Sequence, residues 1–122
     1  MNPERWLPVV GWEGWYEVSD LGRVRRAAPG KRTTPGRLRT PSVDPRGYHR
    51  VRLSRGSSTS QSTTKIHRLV AAAFLGPCPP GTEVGHKDGT PGHDAVGNLE
   101  YVTHQENMKL AGRMGRLLGR PR

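Results

Sequence analysis

The sequence predicts an α+β protein in which a small N-terminal antiparallel β-hairpin lobe precedes a strand–loop–strand–helix unit, with short helices. Three observations carry this prediction. Hydrophobic residues make up only 32% of the 122, while 16 Gly and 11 Pro favour short strands and frequent turns over a helical bundle. Apolar side chains alternate with period two in the first half and switch to helical spacing near residue 66. The last third then orders strand, turn, strand and a capped helix.

Taken in order, residues 1–26 hold Trp6, Trp12, Trp15 and Tyr16, four of the six Trp and Tyr residues. Trp15-Tyr16-Glu17-Val18-Ser19 alternates bulky and polar side chains as a strand does. Asp20-Leu21-Gly22 is a turn, and Arg23-Val24-Arg25 returns. The aromatics read as core for a thin sheet rather than as platforms for stacking bases. Residues 27–64 are polar and basic, with Pro29, Gly30, Pro35 and Gly36 marking a loop. Within them, 47–53 alternates again, placing Tyr48, Arg50 and Arg52 on one face and His49, Val51 and Leu53 on the other. Such a charged face fits a DNA groove, and an ordinary solvated strand looks the same. Ser54 to Thr64, rich in Ser and Thr, reads as a mobile hairpin tip.

Ile66, Leu69, Val70, Ala73 and Phe74 share one helical face, a short helix that packs the lobes together until Pro77, Pro79 and Pro80 end it. Val84-Gly85-His86 is a strand, Asp88-Gly89 a turn, and Leu99-Glu100-Tyr101-Val102 a second strand. Thr103 caps the last helix, with Glu106 completing a capping box, and the helix is expected to reach about Leu118.

Twenty Lys and Arg against ten Asp and Glu give a formal charge of +10, which points to a polyanionic partner. Between Arg23 and Arg55 eleven basic residues face one acid, Asp44, and the last fourteen residues hold five basic residues and no acid. A basic ribosome-associated protein has a similar balance. Cys78 is the single cysteine, which excludes an internal disulfide and a Cys-rich zinc knuckle, and between prolines it reads as an inert turn residue. Leu69 to Leu75, the longest apolar stretch, is too short to span a membrane, and no apolar run precedes Trp6 as a signal peptide would require. A reducing cytoplasm is the expected setting.

Hydrolysing a phosphodiester needs an activated water, a cation on the phosphate and help for the departing oxygen. A histidine near its ordinary pKa serves the first and a divalent ion the others. His86 ends a strand beside a turn, Asn98 begins the returning strand, and Asn107 lies on the last helix, where its amide oxygen is expected to point back toward His86. A lone histidine is usually structural and an asparagine before a strand usually a turn residue, so each is weak alone.

Four ordered segments strengthen the reading. The run from Trp6 to Arg25 resembles the nuclease-associated modular motif that precedes many phage HNH nucleases. Gly47 to Leu53 and Ile66 to Gly76 resemble the linking segments of the same proteins, and Val84 to Gly89, Gly97 to Thr103 and Glu106-Asn107-Met108 resemble the HNH motif itself. The resemblance to the phage-type HNH homing endonuclease family implies a ββα-metal nuclease core and an N-terminal DNA-binding sheet. It further implies a double-stranded DNA substrate, nicked or cut with a single Mg²⁺ or Mn²⁺, and a phage-encoded protein acting in a bacterial host. Residues 1–64 are then the DNA-binding lobe, 65–112 the nuclease unit and 113–122 a basic tail. Many relatives continue into a helix-turn-helix module, for which this tail is too short. By position His86 is the general base, Asn98 orients it, and Asn107 binds the metal. The residue before the histidine, often Asp or Asn and a second ligand, is here Gly85. Asp88 is the substitute ligand by this reading, although a turn role with Gly89 also fits. His104 is a further substitute for which a surface role is expected. His93 and Asp94 are read as loop-shaping, and His67 as making a buried hydrogen bond. Arg23, Arg25, Arg26, Arg50, Arg52, Arg68, Lys87, Arg113 and Arg116 are the expected DNA contacts. The alternative is an HNH scaffold that binds DNA with weakened catalysis. Monomer and homodimer both remain open.

Overall fold

A computed structural model describes residues 3–30, 33–55 and 61–117, the last seven as backbone alone. Trp6–Pro8 (β1), Tyr16–Ser19 (β2) and Val24–Arg26 (β3) form an antiparallel sheet in that order. Tyr16, Val18 and Val24 face inward, as the alternation predicts. The β2–β3 turn is fixed by Ser19, whose hydroxyl accepts the Leu21 and Arg23 amides, and by Gly22 at φ 90°, a value side chains resist.

A second sheet joins Ser42–Val43 (β4), His49–Ser54 (β5) and Gln61–Lys65 (β6), with β5 central. Val51 and Leu53 are buried and Arg52 is exposed, so the period-two reading of β5 holds. The expected mobile tip does not begin at Ser54 or extend to Thr64. Gln61–Lys65 pairs in register from Arg50↔Lys65 to Ser54↔Gln61, because an edge strand needs only backbone partners. Residues 56–60 of that tip lie outside the described residues.

Ile66–Phe74 (α1) follows β6 directly and buries Ile66, His67, Leu69, Val70 and Ala71. Ile66, Leu69 and Val70 join one core with Val9, Tyr16 and Val18 of the first sheet segment, Val51 and Leu53 of the second, and Leu99 beyond. α1 is thus the keystone, and packing runs continuously across residue 64.

The last unit is a two-stranded antiparallel sheet, Glu83–His86 (β7) with Leu99–Val102 (β8), followed by His104–Leu117 (α2). A single 3₁₀ turn, Val96–Asn98, leads into β8. The capping box forms as expected: the Glu106 amide donates to Thr103 Oγ1 at 3.2 Å, and the Thr103 amide donates to Glu106 Oε1 at 2.8 Å. Among the described residues no helix is long and apolar enough to cross a membrane.

Candidate functional site

Strand alternation sorts the residues of β7 onto two faces. Glu83 and Gly85 look toward α2, and Val84 and His86 look away from it. At His86, Nε2 lies 2.8 Å from Asp94 Oδ1, and both residues are buried. A carboxylate only accepts, so Nε2–H donates and the free lone pair resides on Nδ1. The His67 ring lies 4.9 Å from that of His86, and Tyr48 is 5.2 Å from His67 and 5.9 Å from His86. Burial, with the neighbouring His86 adding to it, pushes the His67 pKa down to about 4. Its Nδ1 and the second oxygen of Asp94 are both buried without a hydrogen-bond partner, so the expected buried hydrogen bond at His67 is not made through Nδ1. One ligand atom from each of His67, His86 and Asp94 falls within 4.8 Å of the others.

Asp94 is positioned from both sides. The Val96 amide donates to the Asp20 carbonyl at 2.8 Å, and a Cβ at Gly22 would stand 2.9 Å from the Asp94 Cβ, so the β2–β3 turn lies directly on this residue.

The Asn98 side chain hydrogen-bonds to the loop rather than to His86. Its Oδ1 accepts the Asp88 amide at 3.2 Å, its Nδ2 donates to Asp88 Oδ1 and the His93 carbonyl, and its own carbonyl accepts the Lys87 amide. It closes the loop that ends at Asp94, which is how it bears on the imidazole. Asp88 is spent in the same loop: Oδ1 also accepts the Thr90 amide, and Oδ2 pairs with His93 at 2.7 Å. Partial burial opposes ionisation of Asp88, but the donors from His93, Thr90 and Asn98 outweigh it and hold its pKa at about 2. Both oxygens being engaged, the turn reading of Asp88 describes its surroundings better than that of a metal ligand.

Asn107 lies in the first turns of α2. Its Nδ2 donates to Glu83 Oε1 at 2.9 Å, and its Oδ1 lies 3.1 Å from where a Cβ of Gly85 would be. Glu83 also accepts from His104 Nδ1 at 3.0 Å, and the Asn107 and His104 bonds hold its pKa below the usual carboxylate range. These residues wall a cavity of about 390 Å³ whose basic lining is Arg46, Lys65 and Arg68. Tyr48 and His67 also line it, so the rings that neighbour His86 at tilted angles reach the space that Asn107 faces. Oxygen donors beside clustered cations suit a hard divalent ion together with a phosphate.

The expected DNA-contacting arginines divide. Arg26 is a correction: it is buried, and its guanidinium donates to Tyr16 Oη, the Ala28 carbonyl and the Ser54 carbonyl, fastening the first sheet to the second. Arg23 pairs with Glu4 and Arg25 with Glu17, and both guanidinium groups lie over the Trp6 ring. Arg50 is half-buried, whereas Arg52, Arg68 and Lys87 are exposed. Arg113 and Arg116 lie on α2, their side chains outside the described residues. Sequence reasoning passed over Glu83, although its i, i+2 spacing from Gly85 placed it on the same strand face. It gave Asp94 only a loop role, with no local signal that the loop returns it to His86.

Residues 4–54 match the NUMOD4 motif, and residues 64–109 match the HNH endonuclease family. The DNA endonuclease I-HmuI of Bacillus phage SP01 is 34% identical over 104 residues, 85% of this chain and 55% of that protein. The SPbeta prophage-derived protein YosQ of Bacillus subtilis strain 168 is 35% identical over 79 residues, 65% of this chain and 45% of that one. A solved structure described as DNA binding and cleavage by the HNH homing endonuclease I-HmuI superposes with a TM-score of 0.72 at 31% identity, covering 92% of this chain and 59% of that one. This chain spans about half the length of these curated relatives.

Proposed function

This chain belongs to the HNH endonuclease family, with a NUMOD4 motif ahead of the nuclease unit, and on that premise we propose that it is a metal-dependent DNA endonuclease. The observation that carries the proposal is a histidine held through one nitrogen by a buried carboxylate and packed beside tilted rings that line a basic cavity.

In this reading Arg46, Lys65 and Arg68 seat a backbone phosphate of duplex DNA, with Arg52 and Lys87 adding contacts outside the cavity. His86 takes a proton from the attacking water on Nδ1, and Asp94 steadies the imidazolium that results. The water oxygen bonds to phosphorus as the bond to the 3′ oxygen breaks, leaving a 5′ phosphate on one product. Asn107 is the side chain assigned to the divalent ion, Mg²⁺ or Mn²⁺, which when bound neutralises charge on the phosphate and the departing oxygen. His67, kept neutral by burial, adds no positive charge beside His86. Asn98 and Asp88 are positioning residues that hold the loop. A phage-encoded enzyme of this kind works in the cytoplasm of the host.

Supercoiled plasmid incubated with Mg²⁺ or Mn²⁺, with and without EDTA, tests the proposal and counts the strands cut. His86→Ala is expected to lose on the order of a hundredfold in cleavage while retaining DNA binding. If that variant cuts as fast as the parent, the assignment of His86 fails.

Gly85 favours one second reading, a DNA-binding scaffold with weakened catalysis. A Cβ there would stand 2.8 Å from Val102 Cγ2 and 3.1 Å from Leu110 Cδ1, so a ligand-bearing side chain enters only if its neighbours shift. DNA binding without any metal-dependent product would select this reading.

A further inference from the structure

We propose that Glu83, together with Asn107, holds the divalent ion in this chain, doing from two residues upstream what position 85 cannot do as glycine. This inference rests on the metal-dependent reading above and assigns its missing ligand.

Residues i and i+2 of a strand share a face and stand about 7 Å apart, so a ligand displaced from 85 to 83 must have a longer side chain than Asp or Asn to reach the same place. Glu83 has that length, and its Oε1 already lies 2.9 Å from the Asn107 amide. The path from position 85 itself is closed by Val102 and Leu110. His104 brings Nδ1 to 3.0 Å from the same oxygen, from one turn of α2 before Asn107. A carboxylate, an amide and an imidazole therefore meet at one point on the cavity wall. The oxygen and nitrogen of an asparagine amide have nearly the same shape, so a half-turn of the Asn107 amide presents its oxygen to the same point.

The surroundings favour a hard ion here over the other mixed cluster. Mg²⁺ and Mn²⁺ prefer oxygen ligands, and Mg²⁺ keeps several of its waters, which calls for a site open to solvent and substrate. The Glu83 side chain is 42% exposed and shares its cavity with Arg46, Lys65 and Arg68, which bring a phosphate oxygen within reach. His67, His86 and Asp94 offer two nitrogens and one oxygen in a buried nest, a donor set better suited to a nitrogen-seeking transition ion.

The test is Mn²⁺ titration of the full-length, ¹⁵N-labelled protein without DNA, read as paramagnetic broadening. Broadening should centre on the Asn107 side-chain amide and the Glu83 backbone amide. Glu83→Gln, which keeps the shape and an acceptor oxygen but removes the charge, should need at least tenfold more Mn²⁺, with its remaining resonances unmoved to show that it is folded. Broadening centred on His67, His86 and Asp94, or an unchanged Mn²⁺ requirement in Glu83→Gln, overturns the proposal. Plasmid cleavage run in parallel separates the two claims. If the parent binds Mn²⁺ through Glu83 yet leaves DNA intact, the nuclease reading falls and this site stands. If the parent cuts while Glu83→Gln binds Mn²⁺ as well as the parent does, only the Glu83 assignment falls.

Discussion

The buried imidazole of His67 makes acid a specific threat to this protein. His67 has an ordinary pKa near 6.5 and a folded value of about 4, so between those limits the unfolded chain binds the proton and the folded chain does not. Its contribution to stability is fully present above pH 6.5 and is lost as pH falls toward 4, a change of about 3 kcal/mol at roughly 1.4 kcal/mol per unit. Thermal melts should therefore show Tm falling across that window, and His67→Phe should flatten the fall. An unchanged slope in His67→Phe would place the acid sensitivity elsewhere. At this scale the sequence was partly legible. His86, Asn98 and Asn107 stand out by kind and order, but their partners do not. Asp94 reaches His86 from eight residues away through a loop whose shape depends on Asn98 and Asp88, a tertiary fact with no periodicity to announce it.

Elements were most readable where one short pattern decides them. The capping box of α2 needs only Thr103 and Glu106 in the right spacing, and Thr103→Ala should cost about 1 kcal/mol in urea unfolding. The inward residues of β5 needed only alternation. β6 escaped because Gln61-Ser62-Thr63 is exposed and its pairing comes from backbone bonds to β5, which composition does not encode. The β2–β3 turn offers a controlled comparison. Gly11 and Gly22 both have φ near 90°, so an alanine strains each alike. A Cβ added to the first would meet nothing within 4 Å, whereas one added to the second would run into Asp94. Gly22→Ala should thus lower Tm more than Gly11→Ala and also disturb the His86 resonances. Equal losses with an unshifted imidazole would mean that the contact yields freely.

Across the whole molecule, the charge of +10 frames what it binds. With about six phosphates neutralised, the logarithm of DNA affinity should fall with the logarithm of salt at a slope of roughly −5, and Arg68→Ala should reduce that slope by about 1. Fluorescence anisotropy at several salt concentrations measures both, and a flat dependence would argue against phosphate-led binding. The order of the sheets was legible, and so was the short helix that packs them together. Ile66, Leu69 and Val70 fill one core with residues from every sheet, and Arg26 fastens the first sheet to the second from inside, where a surface charge had been expected. The seating of the β2–β3 turn on Asp94 then acts as a ruler. On the nuclease reading proposed above, a duplex held along the first sheet would be cut at an interval set by protein geometry, so fragments should end at a constant offset from the protected footprint even when the bases between them are changed.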